Sequence, residues 1–300
     1  MIYDVIVYGT ICLDAIWRVR ELPAPGGYAP ILEERKMIGG EACNTAIALT
    51  KWGVHVALVG NALGDDADGK LLRELFARDV PELDTRFLRV LPEARTPYCV
   101  CIATPDGART MYGTGFPEMQ CAELDPDLAR SARFFTMDPN AWEPGRRAAL
   151  VALEAGLSLV AMDYTRDPVI TQAAAINVTS RELLPTLHTL EELADYAVTL
   201  RNQFGQTTIV TCGAQGCLVA ERSKAGSVHV PAYVAPEMVD ATGCGDVFRA
   251  GLLYGQLSNW DLLTTVRFAS AAAALNCGAM GGWGGVRSLK EIEAFQQNAP

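Results

Sequence analysis

The chain has 300 residues, half of them apolar, so it can bury a large core and is long for one domain, yet it stays within the range of a single α/β unit. Its net charge of −10 is spread along the sequence without a basic run, which argues against nucleic acid and anionic membrane as partners. Nine scattered cysteines without a C-x-x-C pair or a His cluster argue against structural zinc; their odd number, a start directly on a strand and the lack of a bilayer-length apolar run predict a reduced, cytoplasmic protein.

Residues 3–9 form a short apolar run that predicts a strand, followed by Gly9-Thr10-Ile11-Cys12-Leu13-Asp14. Residues 17–37 are rich in Pro and Gly and interrupt the pattern. Gly39-Gly40-Glu41-Ala42-Cys43-Asn44 then opens a helix over 42–52 with Ile47, Leu49 and Trp52 on its apolar face. The two glycines would let backbone approach a ligand closely, and Asn44 can both donate and accept hydrogen bonds. A strand over 54–59 and a helix over 69–78 follow. Between them, Gly64 to Lys70 comes near the phosphate loop G-x-x-x-x-G-K-[ST], but Leu71 stands where that loop needs a hydroxyl for magnesium, and three aspartates inside it would repel phosphate.

Residues 98–112 carry alternating strand signals around a Pro105-Asp106-Gly107 hairpin turn, with Arg109 just beyond it. Strands over 134–137, 159–163 and 207–211 alternate with helices such as 147–155. That alternation predicts a mostly parallel sheet covered by helices on both faces, with ligands at the carboxyl ends of the strands. No G-x-G-x-x-G follows the first strand, which leaves a dehydrogenase reading without support. His55, His188 and His229 lie in unrelated segments and carry no chemistry in this reading.

The most informative stretch is Asp240-Ala241-Thr242-Gly243-Cys244-Gly245-Asp246, which joins a turn of small residues to an apolar helix over 247–257. Amides at a helix start lack intrahelical partners, so the N–H groups of Gly243, Cys244 and Gly245 can cradle an anion. Asp246 falls in the first turn, where the helix dipole favours its ionised form. A carboxylate beside an anion hole can accept a proton from a hydroxyl while a transferred phosphoryl group is held. The alternative is a plain N-terminal helix cap.

This stretch resembles the C-terminal signature of the ribokinase-like (PfkB) carbohydrate kinases, D-T-x-G-A-G-D-x-F-x-x-G, with Ala241, Thr242 and Cys244 as small-residue departures. The resemblance continues in Gly9 to Asp14, in Gly39 to Ala46 (G-G-x-x-x-N-x-A) and in Gly60 to Gly69 (similar to G-x-x-G-x-D-x-x-G, with one residue more between the first two glycines), in order from residue 3 to about 295. It implies that Asp14, Gly39, Gly40 and Asn44 bind the acceptor. It also implies that Thr211, Gly213 and Gly216, within Ile209-Val210-Thr211-Cys212-Gly213-Ala214-Gln215-Gly216-Cys217, hold ATP together with Thr242. The glycine-rich run from Gly278 to Gly285 would lie near the adenine and a monovalent cation, or be a flexible connection. Where the family carries N-x-x-E, this chain has Thr179-Ser180-Arg181-Glu182, so Glu182 is the candidate that organises water around Mg²⁺. Arg166 and Arg109 are candidates to meet phosphate or substrate.

The expectation is therefore one ribokinase-like three-layer α/β domain over 1–300, a mostly parallel sheet with a small β lid from segments of about 15–38 and 97–113. It would use ATP and Mg²⁺ to phosphorylate a hydroxyl of a small sugar, with Asp246 as base, and could dimerise through the lid. The alternatives are a nucleoside kinase, for which Trp17, Tyr28 and Tyr112 could cover a base, and a non-catalytic nucleotide- or sugar-binding relative.

Overall fold

Alternate residues of the first strand bury themselves on opposite sides of one sheet: Val5 and Val7 join one apolar cluster, Ile6 and Tyr8 the other. A strand buried on both faces needs a helical layer over each. The computed structural model, which describes residues 2–105 and 107–298, has that three-layer α/β arrangement. Its main sheet has eight strands in the order Val228–Val230, Cys217–Ala220, Thr207–Thr211, Ile176–Ser180, Ser158–Met162, Phe134–Met137, Val5–Gly9 and Val56–Gly60. From Thr207–Thr211 to Val56–Gly60 all neighbours pair in parallel, and the two strands at the other edge are antiparallel.

The helices Glu41–Lys51, Cys244–Leu257 and Leu262–Asn276 cover one face, burying Ile47, Leu49, Val247, Leu252 and Phe268. The helix Trp142–Glu154 covers the other through Ala148, Ala149 and Ala152. A Cβ on Gly251 would lie 2.5 Å from the Cα of Ala269, so the two C-terminal helices meet backbone to backbone. That contact fixes the helix that carries Asp246.

A second sheet of four strands runs Glu33–Gly39, Cys12–Arg18, Tyr98–Ala103, Arg109–Thr114. Cys12–Arg18 pairs antiparallel with Glu33–Gly39 and parallel with Tyr98–Ala103. Pairing of Ala103 with Arg109 closes a hairpin where the Pro105-Asp106-Gly107 turn is expected, although Asp106 lies outside the described residues. The strand expected over 159–163 stops at Met162, because Asp163 takes a left-handed backbone with φ 63°. The parallel strands end at Gly9, Gly60, Met137, Met162, Ser180 and Thr211. Thr10, Asp138 and Asp163, the residues that next follow three of these ends, gather polar groups at one edge of the sheet.

Candidate functional site

The helix Cys244–Leu257 starts from Gly243, whose φ of 72° is left-handed and whose missing Cβ would fall 2.1 Å from the carbonyl oxygen of Gly282. The Cys244 amide reaches the Ala241 carbonyl only at 3.4 Å, and the amides of Gly243 and Gly245 have no hydrogen-bond partner among the described residues. Asp240, fully buried, accepts from the amides of Thr242 and Gly281, both at 2.9 Å. The Asn276 side-chain amide donates to the carbonyls of Thr242 at 3.3 Å and Gly282 at 3.1 Å, and its oxygen accepts from Gly285 N–H at 3.2 Å. The glycine-rich run is thus pinned to the Asp240–Gly243 turn rather than being a flexible connection.

Asp246 is buried, and both its oxygens are engaged. Oδ2 accepts from Asn44 Nδ2 at 2.9 Å and Oδ1 from an Arg249 Nη2 at 3.1 Å. The Arg249 guanidinium, one turn further along the helix and fully buried, also donates to Thr45 Oγ1 and to the carbonyls of Met137 and Glu41. Burial pushes Asp246 up to about 6, opposed by the Arg249 charge and the Asn44 hydrogen bond. Burial thus works against the helix end, and at about 6 the group is still mostly ionised at neutral pH.

Asp14 projects from the Cys12–Arg18 strand, and burial, with the charges of Asp240 and Asp246, pushes it up to about 7 against the opposing Cys12 thiol bond. A Cβ on Gly39 would sit 2.0 Å from the Asp14 carboxyl carbon, and one on Gly40, at φ 98°, would sit 2.2 Å from the Thr10 carbonyl. Packing within the protein itself therefore demands both glycines, a reason that ligand approach alone did not supply. Gly282 is wedged the same way, its Cβ position 2.2 Å from Asn44 Nδ2. Asn44 Oδ1 and Thr242 Oγ1 are buried without a hydrogen-bond partner among the described residues.

Asp14, Gly39, Gly40, Asn44 and the turn from Thr242 to Asp246 thus share one neighbourhood. Thr211, Gly213 and Gly216 lie further along the sheet edge, where Gly216 at φ 88° fits only because a Cβ would meet the Val230 carbonyl at 2.1 Å. Glu182 is exposed in a short 3₁₀ turn, Arg181–Leu183, and shares a cleft of about 530 Å³ with Ala241 and with Gly107, Ala108, Arg109 and Met111 of the small sheet. Asp246 does not line that cleft. Arg166 is exposed.

Sequence reasoning did not single out Arg249, Asp138 or Asp163. Asp138, fully buried, accepts from the amide of Thr10 at 2.5 Å and its hydroxyl at 2.7 Å, and from the amides of Asn140 and Ala141. Asp163 accepts from Ser180 N–H at 2.9 Å, and burial raises it above the usual carboxylate range. An arginine among Val247, Phe248, Ala250 and Leu252, three residues after an aspartate, was the available signal for a buried pair.

Residues 3–286 match the family model described as pfkB family carbohydrate kinase. An ATP-dependent ribose-1-phosphate kinase of Halopiger xanaduensis is 28% identical, covering 91% of each chain, and a nucleoside kinase of Methanothermobacter thermautotrophicus is 25% identical over 90% of this chain and 88% of its own. The structure of Arabidopsis thaliana ribokinase complexed with ribose and ATP superposes with a TM-score of 0.82 at 20% identity, covering 99% of both chains. The fold is therefore ribokinase-like, and the chain belongs to the pfkB family of carbohydrate kinases, phosphotransferases that act on hydroxyl groups.

Proposed function

We propose that this chain transfers the terminal phosphoryl group of ATP to a hydroxyl of a sugar, with Asp246 as the base. The observation that carries the reading is a pair of buried, unpartnered atoms close to Asp246: Asn44 Oδ1, on the residue whose Nδ2 donates to Asp246, and Thr242 Oγ1, four residues before it. Buried polar atoms are normally satisfied, so each is a place for a ligand group: an acceptor hydroxyl on Asn44 and a phosphate oxygen on Thr242. Asp14 takes further acceptor hydroxyls. A carboxylate offers about four lone-pair positions, so Asp246 can hold Arg249 and Asn44 and still accept a proton from an aligned hydroxyl. In a loose phosphoryl-transfer transition state the proton leaves late, and a weak base suffices. The amides of Gly243 and Gly245, with Cys244, receive the developing charge, and Arg109 adds a cation from the small sheet. Closure of that sheet over the acceptor keeps water from competing for the phosphoryl group.

The exposed Glu182 carboxylate beside Ala241 suits Mg²⁺ held through water, a hard cation that keeps several waters. Bound with the nucleotide, the ion neutralises phosphate charge. The exposed Met111 and Tyr112 of the small sheet fit contact with a second copy of the chain. No described helix is long and apolar enough to cross a membrane, and a cytoplasmic enzyme fits the charge pattern.

Measurement of ADP release across sugars, sugar phosphates and nucleosides tests the reading. Release with a sugar and not with a nucleoside is expected; release with nucleosides alone selects the nucleoside kinase, and ligand binding without ADP selects a non-catalytic relative.

A further inference from the structure

The register of the small sheet places unlike chemistry side by side. In the parallel pairing of Cys12–Arg18 with Tyr98–Ala103, Asp14 stands opposite Cys99 and Ile16 opposite Cys101. Side chains opposite one another, and those two residues apart on a strand, point to the same face. Asp14, Cys99 and Cys101 therefore converge: all three are buried, and a carboxylate oxygen and the two sulfurs lie within 4.8 Å of one another. Both cysteines are free, with sulfurs 3.6 Å apart. Cys12, on the same face, adds a sulfur 3.2 Å from Asp14 Oδ1. Met280 packs against the two thiols and Met37 beside them, so the surroundings are rich in sulfur.

We propose that Asp14, Cys99 and Cys101 form a binding site for a thiophilic divalent cation of the zinc class, and that filling it blocks the acceptor site. In a tetrahedral zinc site with Zn–S near 2.3 Å, two sulfurs stand about 3.8 Å apart, close to the separation found here. Three protein ligands leave a fourth position for water or for Cys12. Binding displaces the thiol protons, leaving two thiolates and a carboxylate on the metal, so uptake strengthens as pH rises. The charges of Asp240 and Asp246 bear on Asp14, and a divalent cation relieves that repulsion. The inhibitory half of the proposal rests on the reading of Asp14 as an acceptor ligand: a carboxylate oxygen spent on the metal is lost to the sugar, which is then held less tightly.

The test uses the full chain, kept reduced with a phosphine, and titrates it with Zn²⁺ by calorimetry and with Co²⁺ by absorption. One ion per chain is expected, with thiolate-to-cobalt charge-transfer bands, and the double variant Cys99→Ala, Cys101→Ala should bind at least about tenfold more weakly. Neither cysteine belongs to the proposed catalytic machinery, so that variant should keep its ATP-dependent activity and lose sensitivity to zinc. In the native enzyme, zinc should raise KM for the acceptor and leave kcat unchanged. Absence of stoichiometric uptake, or uptake unchanged in the double variant, overturns the site. Uptake with no effect on the acceptor KM overturns the blockade, and uptake in a chain inactive on every acceptor upholds the site while removing the kinase reading.

Discussion

Replacing Arg249 with methionine tests the buried pair that holds the proposed base. The guanidinium makes five hydrogen bonds of 2.8–3.1 Å, to Thr45 Oγ1 twice, to the carbonyls of Met137 and Glu41, and to Asp246 Oδ1. Methionine fills much of the volume but donates nothing, so two carbonyls and one carboxylate lose a donor in a dry interior. Breaking one half of a buried ion pair typically costs about 3–5 kcal/mol. For a chain of this size that is a fall in Tm on the order of 10 °C. The charge of Arg249 also holds Asp246 down against burial, and its loss should move the acid limb of the kcat profile upward by about 1–3 pH units from its starting point near 6. Thermal unfolding and a kcat profile from pH 5 to 9 are the assays. Arg249→Lys keeps the charge without the fork and should fall between the two, and it serves if the methionine variant does not fold. A large Tm loss with an unmoved acid limb in the lysine and methionine variants would reduce Arg249 to a packing role, and an unchanged Tm would refute the account of the pair.

Asp246→Asn should leave nucleotide binding nearly intact and lower turnover by about 10²–10⁴ fold; near-normal turnover removes the proposed base. Stability should fall as pH rises from 5 to 8: Asp14 and Asp246 are raised to about 7 and about 6 in the folded chain, so the stability linked to their protonation is complete below their unfolded pKa near 4 and is lost as pH passes the folded values. Asp14→Asn should flatten that slope, as read by Tm against pH. Gly282→Ala puts a methyl 2.2 Å from Asn44 Nδ2, which must shift; the acceptor KM should rise more than the KM for ATP, and equal effects on both would contradict the placement.

Phe134–Met137 and Thr207–Thr211 were legible to the residue because each is a short run of mainly aromatic or β-branched residues with sharp ends. Glu33–Gly39 was not: Glu34, Arg35 and Lys36 on an edge strand face solvent and give no alternation. The turn around Asp246 was legible because its glycines and carboxylate are neighbours in sequence. The Arg249 fork, the Asp138 bonds to Thr10 and the meeting of Asp14 with Cys99 depend on which strands pair and in what register, and local composition does not encode that. The glycines were found for a partial reason: Gly39, Gly243 and Gly282 answer to crowding inside the protein.

Asn44 meets Asp246 across 202 positions, Arg249 meets Thr45 across 204, and Trp283 Nε1 reaches the Ile38 carbonyl across 245. During synthesis the first sixty residues must wait for nearly the whole chain to leave the ribosome before any of these partners exists. Such distant closures are slow to form, so the nascent protein spends a long interval with Arg249's future pocket unfilled. A chain cut shortly before Trp283 would keep most of its helices and strands and still leave Ile38 without its tryptophan.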